Sequence, residues 1–388
     1  MQLIIKLTTS CNLKCSYCSE GDKKAETISK EILYKVIDDL PELLKELNDH
    51  SIEILWHGGE PMLVNIEFLD EVMYYAEKIL SGFELRFCMQ SNGTMVNPEW
   101  LSILKTHNVM VGISLDGYKE IHDKNRRTKS DMPTFDTVIK NIKLLRDYGI
   151  YGGSLMVLSD IDNIDVDKLF EFIQTYELPM KINPVIPCGR AENIIDIDNI
   201  YAKYNKIMEL LYRKSMELDY PMDIEPLSDI IEAMIRGKSV KECSYNGACG
   251  KHFMCIFTNG SVGFCGRAGS KLDELCFGNI NENSLKNMYN SVAAERIRKR
   301  YEFLKQHDCK ECNEWQFCMG GCSFEAVNGF GVLEHKYPGC QQRKELIKFI
   351  RTEGIELLKK KLVNDKRKLR DSIKLKRKLL GELKNERK

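Results

Sequence analysis

Three cysteines, Cys11, Cys15 and Cys18, fall within the eight-residue stretch CNLKCSYC, directly after the apolar run LIIKLTT. Thiolates this close suit a metal. A disulfide uses two of them and a closed structural zinc site uses four ligands. Three on one short loop suit a cubic iron–sulfur cluster, whose irons prefer thiolate ligands, with one iron left open for a further ligand. A zinc site completed by a distant residue would use the same triplet.

A second set lies far downstream. Cys309-x2-Cys312-x5-Cys318-x3-Cys322 is followed by Cys340 and preceded by Cys249-x10-Gly260-x4-Cys265, with Cys243 just upstream. Such spacings accommodate two interleaved four-ligand sites, of iron–sulfur or of zinc type. Cys88, Cys188, Cys255 and Cys276 are left over, and a buried, inert thiol is the default for each. Cys255, six residues past Cys249, competes with Cys243 for the eighth ligand position. Polar motifs accompany the first triplet: WHGGEP at 56–61, QSNGT at 90–94, SLDG at 114–117 and HDKNRR at 122–127. Paired glycines permit close approach of a ligand to the backbone, and Glu60 offers a carboxylate to an ammonium group. His57 stands between the second apolar run and that glycine pair, in a cofactor-facing, supporting or packing position.

The triplet, with Tyr17 before its last cysteine, resembles that of the radical SAM superfamily. Membership implies that the open iron takes the amino and carboxylate groups of S-adenosylmethionine, which one electron cleaves to a 5′-deoxyadenosyl radical. The loop WHGGEP is similar to the family's GGEP loop. By that resemblance Gly58, Gly59, Glu60 and Pro61 face the methionyl amine, and Asn92, Ser114 and Arg126 face the ribose and carboxylate. The downstream cysteines resemble the seven-cysteine SPASM domain, which holds two auxiliary four-iron clusters. The resemblance implies one auxiliary cluster on Cys243, Cys249, Cys265 and Cys322, and a second on Cys309, Cys312, Cys318 and Cys340. Three four-iron clusters are expected in all.

Six short apolar runs, at 3–8, 52–56, 84–90, 109–115, 153–158 and 181–186, alternate with amphipathic stretches such as 29–47 and 135–148. Such alternation predicts an α/β fold with a parallel sheet and crossover helices, a partial (β/α)6 barrel rather than the eight units of a closed one. Chemistry in such folds sits at the C-terminal ends of the strands, where the first triplet lies. The expected organisation is a radical SAM partial barrel with bridging helices over 1–230, a cysteine-rich SPASM domain over 231–342, and a basic helical tail over 343–388. The region 243–340 shows little helical periodicity, as expected where metal centres replace an ordinary core.

Fifteen cysteines in 388 residues lie below the ~8–10% of a disulfide scaffold. Their clustering without a signal peptide favours a reducing cytoplasm and metal ligation. No apolar run reaches the ~20 residues of a membrane span. The net charge of zero divides unevenly: residues 343–388 hold 18 Lys and Arg against 7 Asp and Glu. That tail suits a solvated helix docked on its own acidic body, or long-range capture of an acidic leader peptide. With no aromatic after Phe349 to stack on bases, it is a poor nucleic-acid binder.

Enzymes resembling both parts modify peptides or proteins. The leading expectation is a maturase installing a C–S, C–C or similar crosslink in a ribosomally made precursor peptide. Its alternative is an anaerobic sulfatase-maturating, formylglycine-generating enzyme, and a non-catalytic electron carrier would have no use for the GGEP motif. An external reductant such as flavodoxin or ferredoxin is implied. The first strand starts at about Gln2, so peptide recognition is expected elsewhere in the chain or on a separate protein. The sulfatase-maturating family places an aspartate base directly after the third cysteine of the first auxiliary set. Here Gly266 and then Arg267 follow Cys265, and neither accepts a proton. Asp273 and Glu274 are nearby substitutes in sequence. The expectation is therefore no formylglycine formation.

Overall fold

The computed structural model describes residues 1–22, 24–193, 196–218, 222–267 and 275–366. Six parallel strands follow one another in space: β1 (Gln2–Thr8), β2 (Ser51–Gly58), β3 (Glu84–Ser91), β4 (Met110–Ser114), β5 (Tyr151–Leu158) and β6 (Met180–Pro184). They coincide with the six apolar runs. Between them run α1 (Lys30–Glu46), α2 (Ile66–Ile79), α3 (Pro98–Thr106), α4 (Lys119–Asn125), α5 (Phe135–Asp147) and α6 (Val166–Tyr176). The local chemistry is regular. Ser29 caps α1 by accepting from the Ile32 N–H, and Leu33, Val36, Ile37, Leu40, Leu43 and Leu44 bury one face of that helix.

Among the described residues the sheet does not close. Beyond β6 it continues into the two-residue β7 (Ile224–Glu225). On the other side, β1 pairs in parallel with β8 (Phe253–Ile256), and β9 (Ser261–Gly263) and β10 (Cys276–Asn279) add antiparallel to it. Ten strands result, in the order β10-β9-β8-β1-β2-β3-β4-β5-β6-β7. The cysteine-rich region thus grows out of the barrel sheet.

Helices α7 (Ile197–Ser215) and α8 (Leu227–Arg236) bridge the two parts. The boundary expected at 230 falls inside α8, whose buried Leu227, Ile230, Ile231 and Ala233 belong to the common core. After α8 come the short α9 (Cys243–Asn246), α10 (Leu285–Tyr289), α11 (Val292–Gln306), α12 (Ser323–Phe330) and α13 (Cys340–Phe349). Val262, Phe264, Phe277, Leu285, Met288 and Ile297 pack into the same core as the barrel. An ordinary core therefore does extend through this region. Its periodicity is hard to see because the helices are short or, like α11, rich in Lys and Arg.

The tail is not a separate object either. Its helix starts at Cys340, widens into one π-helical turn at Ile350–Gly354, and docks on α7. Arg213 Nε lies 2.6 Å from Glu353 Oε1, and the Tyr212 hydroxyl donates to Gly354 O at 2.8 Å. Leu346, Phe349 and Ile350 are core residues, so a cut after Gln342 would remove part of the fold along with the charge. Residues 367–388, with much of that charge, lie outside the described residues, as do Asp273 and Glu274. Among the described residues no helix is long and apolar enough to cross a membrane.

Candidate active site

The C-terminal ends of β1 to β6 open onto one cavity of about 540 Å³. The loop after β1 carries Cys11, Cys15 and Cys18 into it. That loop is zipped to the segment after α4: Lys14 N–H donates to Arg127 O, Ser16 N–H to Asn125 O, and Lys129 N–H to Asn12 O. From the other side Arg190 donates through Nη1 to Cys15 O at 3.1 Å.

The glycine pair explains how β2 meets this loop. Gly59 N–H donates to Thr8 O at 2.7 Å and Glu60 N–H to Ser10 O at 2.8 Å. A Cβ on Gly58 would lie 2.3 Å from Thr8 O, and one on Gly59 would lie 2.1 Å from Ser10 O. Both glycines also line the cavity. Their first necessity is the approach of one backbone to another, with ligand access second.

Glu60 departs from its expected position. It is 0% exposed and does not line the cavity. Its carboxylate accepts from Asn92 N–H at 2.7 Å, Ser91 Oγ at 2.9 Å and Met62 N–H at 3.1 Å. Three donors hold it inward, so it ties the loop to the end of β3. Burial raises its pKa to about 7 against those donors. Pro61 is likewise buried off the cavity, where it opens a 3-10 turn.

The other expected contacts do face the cavity. Asn92 donates through Nδ2 to Asn12 Oδ1 at 2.8 Å and lies 3.8 Å from Cys11 Sγ. The Ser114 hydroxyl accepts from Gln90 Nε2 at 3.0 Å, and both residues line the wall. Tyr17 donates its hydroxyl to Asp116. Arg126 Nε lies 3.0 Å from Asp116 Oδ2 in an ion pair, although it is not aligned to hydrogen-bond there. Its Nη1 lies 3.8 Å from Cys15 Sγ.

Asp116 was not singled out from the sequence. Its Asp-Gly setting reads as a turn, yet the side chain is 0% exposed and sits between two expected site residues. Lys6 was missed as well, although a lone cation inside an apolar strand is a signal. Its Nζ lies 2.7 Å from Glu20 Oε1 and 3.3 Å from His57 Nδ1. Burial, then Lys6, lowers the His57 pKa to about 3, so the ring is neutral and accepts the Gly58 N–H through Nδ1.

The downstream cysteines sort into two places. Cys243, Cys249, Cys265 and Cys322 line the same cavity as the first triplet. Their sulfurs act on one another electrostatically. Cys309, Cys312, Cys318 and Cys340 form a second mutually interacting group that does not line the cavity. Cys243 lines the cavity with Cys249, Cys265 and Cys322, whereas Cys255 is buried on β8 with its thiol toward Ile256 O. Among the described residues no three His, Cys, Asp or Glu side chains converge on a single-ion site. Thiol sets suit the irons of a cluster, which prefer thiolate ligands. Cys188 is buried, as expected, and it also lines the cavity, where its thiol feels Cys18.

Arg267 projects into the cavity near Cys265, Cys322 and Glu325. A Cβ on Gly266 would meet Lys6 Cε at 3.3 Å and Nζ at 3.6 Å. Glu20, paired with Lys6, thus holds a carboxylate beside the space that a side chain at 266 would fill.

The radical SAM superfamily model matches residues 5–173, and the SPASM model, an iron–sulfur cluster-binding domain, matches residues 243–313. The Cysteine-type anaerobic sulfatase-maturating enzyme of Clostridium novyi (strain NT) is 29% identical over 333 residues, 82% of this chain and 87% of that one. Among solved structures, native anSMEcpe with bound AdoMet and Cp18Cys peptide superposes with a TM-score of 0.78 at 23% identity, covering 93% of this chain and 98% of that one. Streptococcus suis SuiB bound to precursor peptide SuiA gives 0.61 at 16% identity, over 88% of this chain and 75% of that one. At these identities the two structures establish the fold. The first domain match contains Cys11, Cys15 and Cys18, and the second contains Cys243, Cys249, Cys265, Cys309 and Cys312, so the chain carries a radical SAM domain followed by a SPASM iron–sulfur domain.

Proposed function

We propose that the chain oxidises a side chain of a peptide or protein substrate, a reading supported by its similarity to enzymes named as sulfatase-maturating. The observation that carries this reading is the similarity to a Cysteine-type maturating enzyme along 82% of the chain. It outweighs the crosslinking reaction favoured from the sequence alone. Cys11, Cys15 and Cys18 would hold the cluster that binds S-adenosylmethionine. Cys243, Cys249, Cys265 and Cys322 would hold the auxiliary cluster across the cavity, and Cys309, Cys312, Cys318 and Cys340 the outer one. When bound, these groups supply a hydrogen-abstracting radical and an acceptor for the electron that oxidation releases.

The chain's own residues do the positioning. Asn92 and Arg126 border the sulfurs of Cys11 and Cys15. The Gly58–Gly59 backbone, Ser114 and Gln90 offer polar groups to a ligand in the cavity. Substrate would lie between the triplet and the inner auxiliary set, next to Lys6, His57 and Arg267. An external one-electron reductant such as flavodoxin or ferredoxin is needed, and a separate recognition protein would suit a peptide substrate.

A second reading, crosslinking of a precursor peptide, is favoured by one observation. Gly266 places no carboxylate directly after Cys265, and Arg267 is a permanent cation. Incubating the anaerobic holoenzyme with a sulfatase-derived Cys peptide and S-adenosylmethionine separates the two. An aldehyde on the peptide is the expected product. Its absence, with a loss of two hydrogens on a peptide encoded beside this chain, would favour crosslinking.

A further inference from the structure

Arg300, on α11, is 3% exposed and carries its charge into the interior. It donates to four backbone carbonyls: Leu333 O at 2.7 Å, Gly321 O at 2.9 Å, Gly320 O at 3.0 Å and His335 O at 2.7 Å. Among the described residues no carboxylate pairs with it. Glu334, which feels its charge, is bound to Arg296. A buried guanidinium satisfied only by neutral dipoles carries a desolvation cost. Something else must balance it.

The position supplies the answer. Gly320 and Gly321 form the turn between Cys318 and Cys322, and those two cysteines belong to different groups. The sulfurs acting on Arg300 are Cys249 and Cys322 of the inner group and Cys309 and Cys318 of the outer one. The same helix reaches Gly250, beside Cys249, through Arg298 Nη1 at 3.5 Å, and it ends just before Cys309. One cation therefore stands between both groups and holds the turn that joins them.

We infer that Arg300 is the shared counter-charge of the two auxiliary cluster sites, fixing the Gly320–Gly321 turn and raising the reduction potential of both clusters. The inference rests on the reading of these eight cysteines as cluster ligands. Cluster potentials respond to nearby charge, and a cation favours the more negative, reduced state. Arg300 touches no substrate and acts through position and charge.

The test compares anaerobically purified holoenzyme with Arg300→Lys and Arg300→Met, reading iron per chain and midpoint potentials by EPR-monitored titration. Arg300→Lys should keep its iron and stay close to the wild-type potentials. Arg300→Met should shift both auxiliary potentials negative, or lose auxiliary iron that Arg300→Lys retains. Unchanged potentials in iron-replete Arg300→Met would overturn the inference. So would equal loss of iron in both variants, which would assign Arg300 to folding alone. Wild-type protein with about four irons per chain and zinc elsewhere would instead refute the ligand reading itself.

Discussion

Arg126 holds Nη1 3.8 Å from the sulfur of Cys15 and Nε 3.0 Å from the carboxylate of Asp116. Asp116 accepts also from the Tyr17 hydroxyl and, at 3.2 Å, from Val157 N–H. One fully buried carboxylate thus anchors the two residues bordering the first cysteine loop to the end of β4 and to β5.

Asp116→Asn keeps the shape and leaves the Arg126 charge unpaired. Breaking a buried pair costs ~3–5 kcal/mol. The variant should melt at lower temperature and retain less iron than the wild type after desalting. Wild-type melting and iron content would contradict the anchoring role.

Gly59→Ala tests the backbone contact. Its Cβ would come within 2.1 Å of Ser10 O, a backbone atom one residue before Cys11. The loop must move, at a cost of ~1–3 kcal/mol. The predicted result is loss of about four irons per chain, the complement of one cluster, with the auxiliary signals intact. A fully loaded Gly59→Ala protein would show that the contact is dispensable.

The barrel was legible because each strand is an apolar run with its chemistry at the C-terminal end, as with Cys11 after β1 and Asn92 after β3. The extension of the sheet through β8 was not legible. Its pairing with β1 joins residues about 250 apart, Gln2 with Phe253, and no local pattern encodes such a partner. The grouping of the downstream cysteines was legible only through the resemblance, and the direction of the Glu60 side chain was not legible at all. A motif names a carboxylate but not the direction it faces, and three donors from Ser91, Asn92 and Met62 turn this one inward. Asp116 and Arg300 were missed for the converse reason. Their importance comes from burial, which composition around Asp-Gly or within a basic helix does not show.

His122 makes the fold sensitive to acid. It is buried, its Nδ1 accepts from Asp116 N–H at 3.3 Å, and its Nε2 lies 3.0 Å from Thr134 Oγ1, whose hydroxyl donates to Arg126 O. Burial, then Arg126, lowers its pKa from 6.5 to about 3. The unfolded chain therefore binds a proton that the folded chain refuses. Its contribution to stability is complete above pH 6.5 and falls as pH drops toward 3, by ~1.4 kcal/mol per pH unit. His122→Gln should start less stable at pH 7.5 and lose less between pH 7 and 5 than the wild type, in anaerobic melting of the holoenzyme. Parallel pH profiles would refute the assignment.

The central claim is that Cys11, Cys15 and Cys18 assemble the centre that cleaves S-adenosylmethionine. The direct measurement is 5′-deoxyadenosine released under dithionite, without oxygen, by the wild type and by the variant with all three cysteines changed to alanine. The wild type should release it and carry about twelve irons, and the variant should release none and carry about eight. Sustained 5′-deoxyadenosine formation by the triple variant would contradict the account.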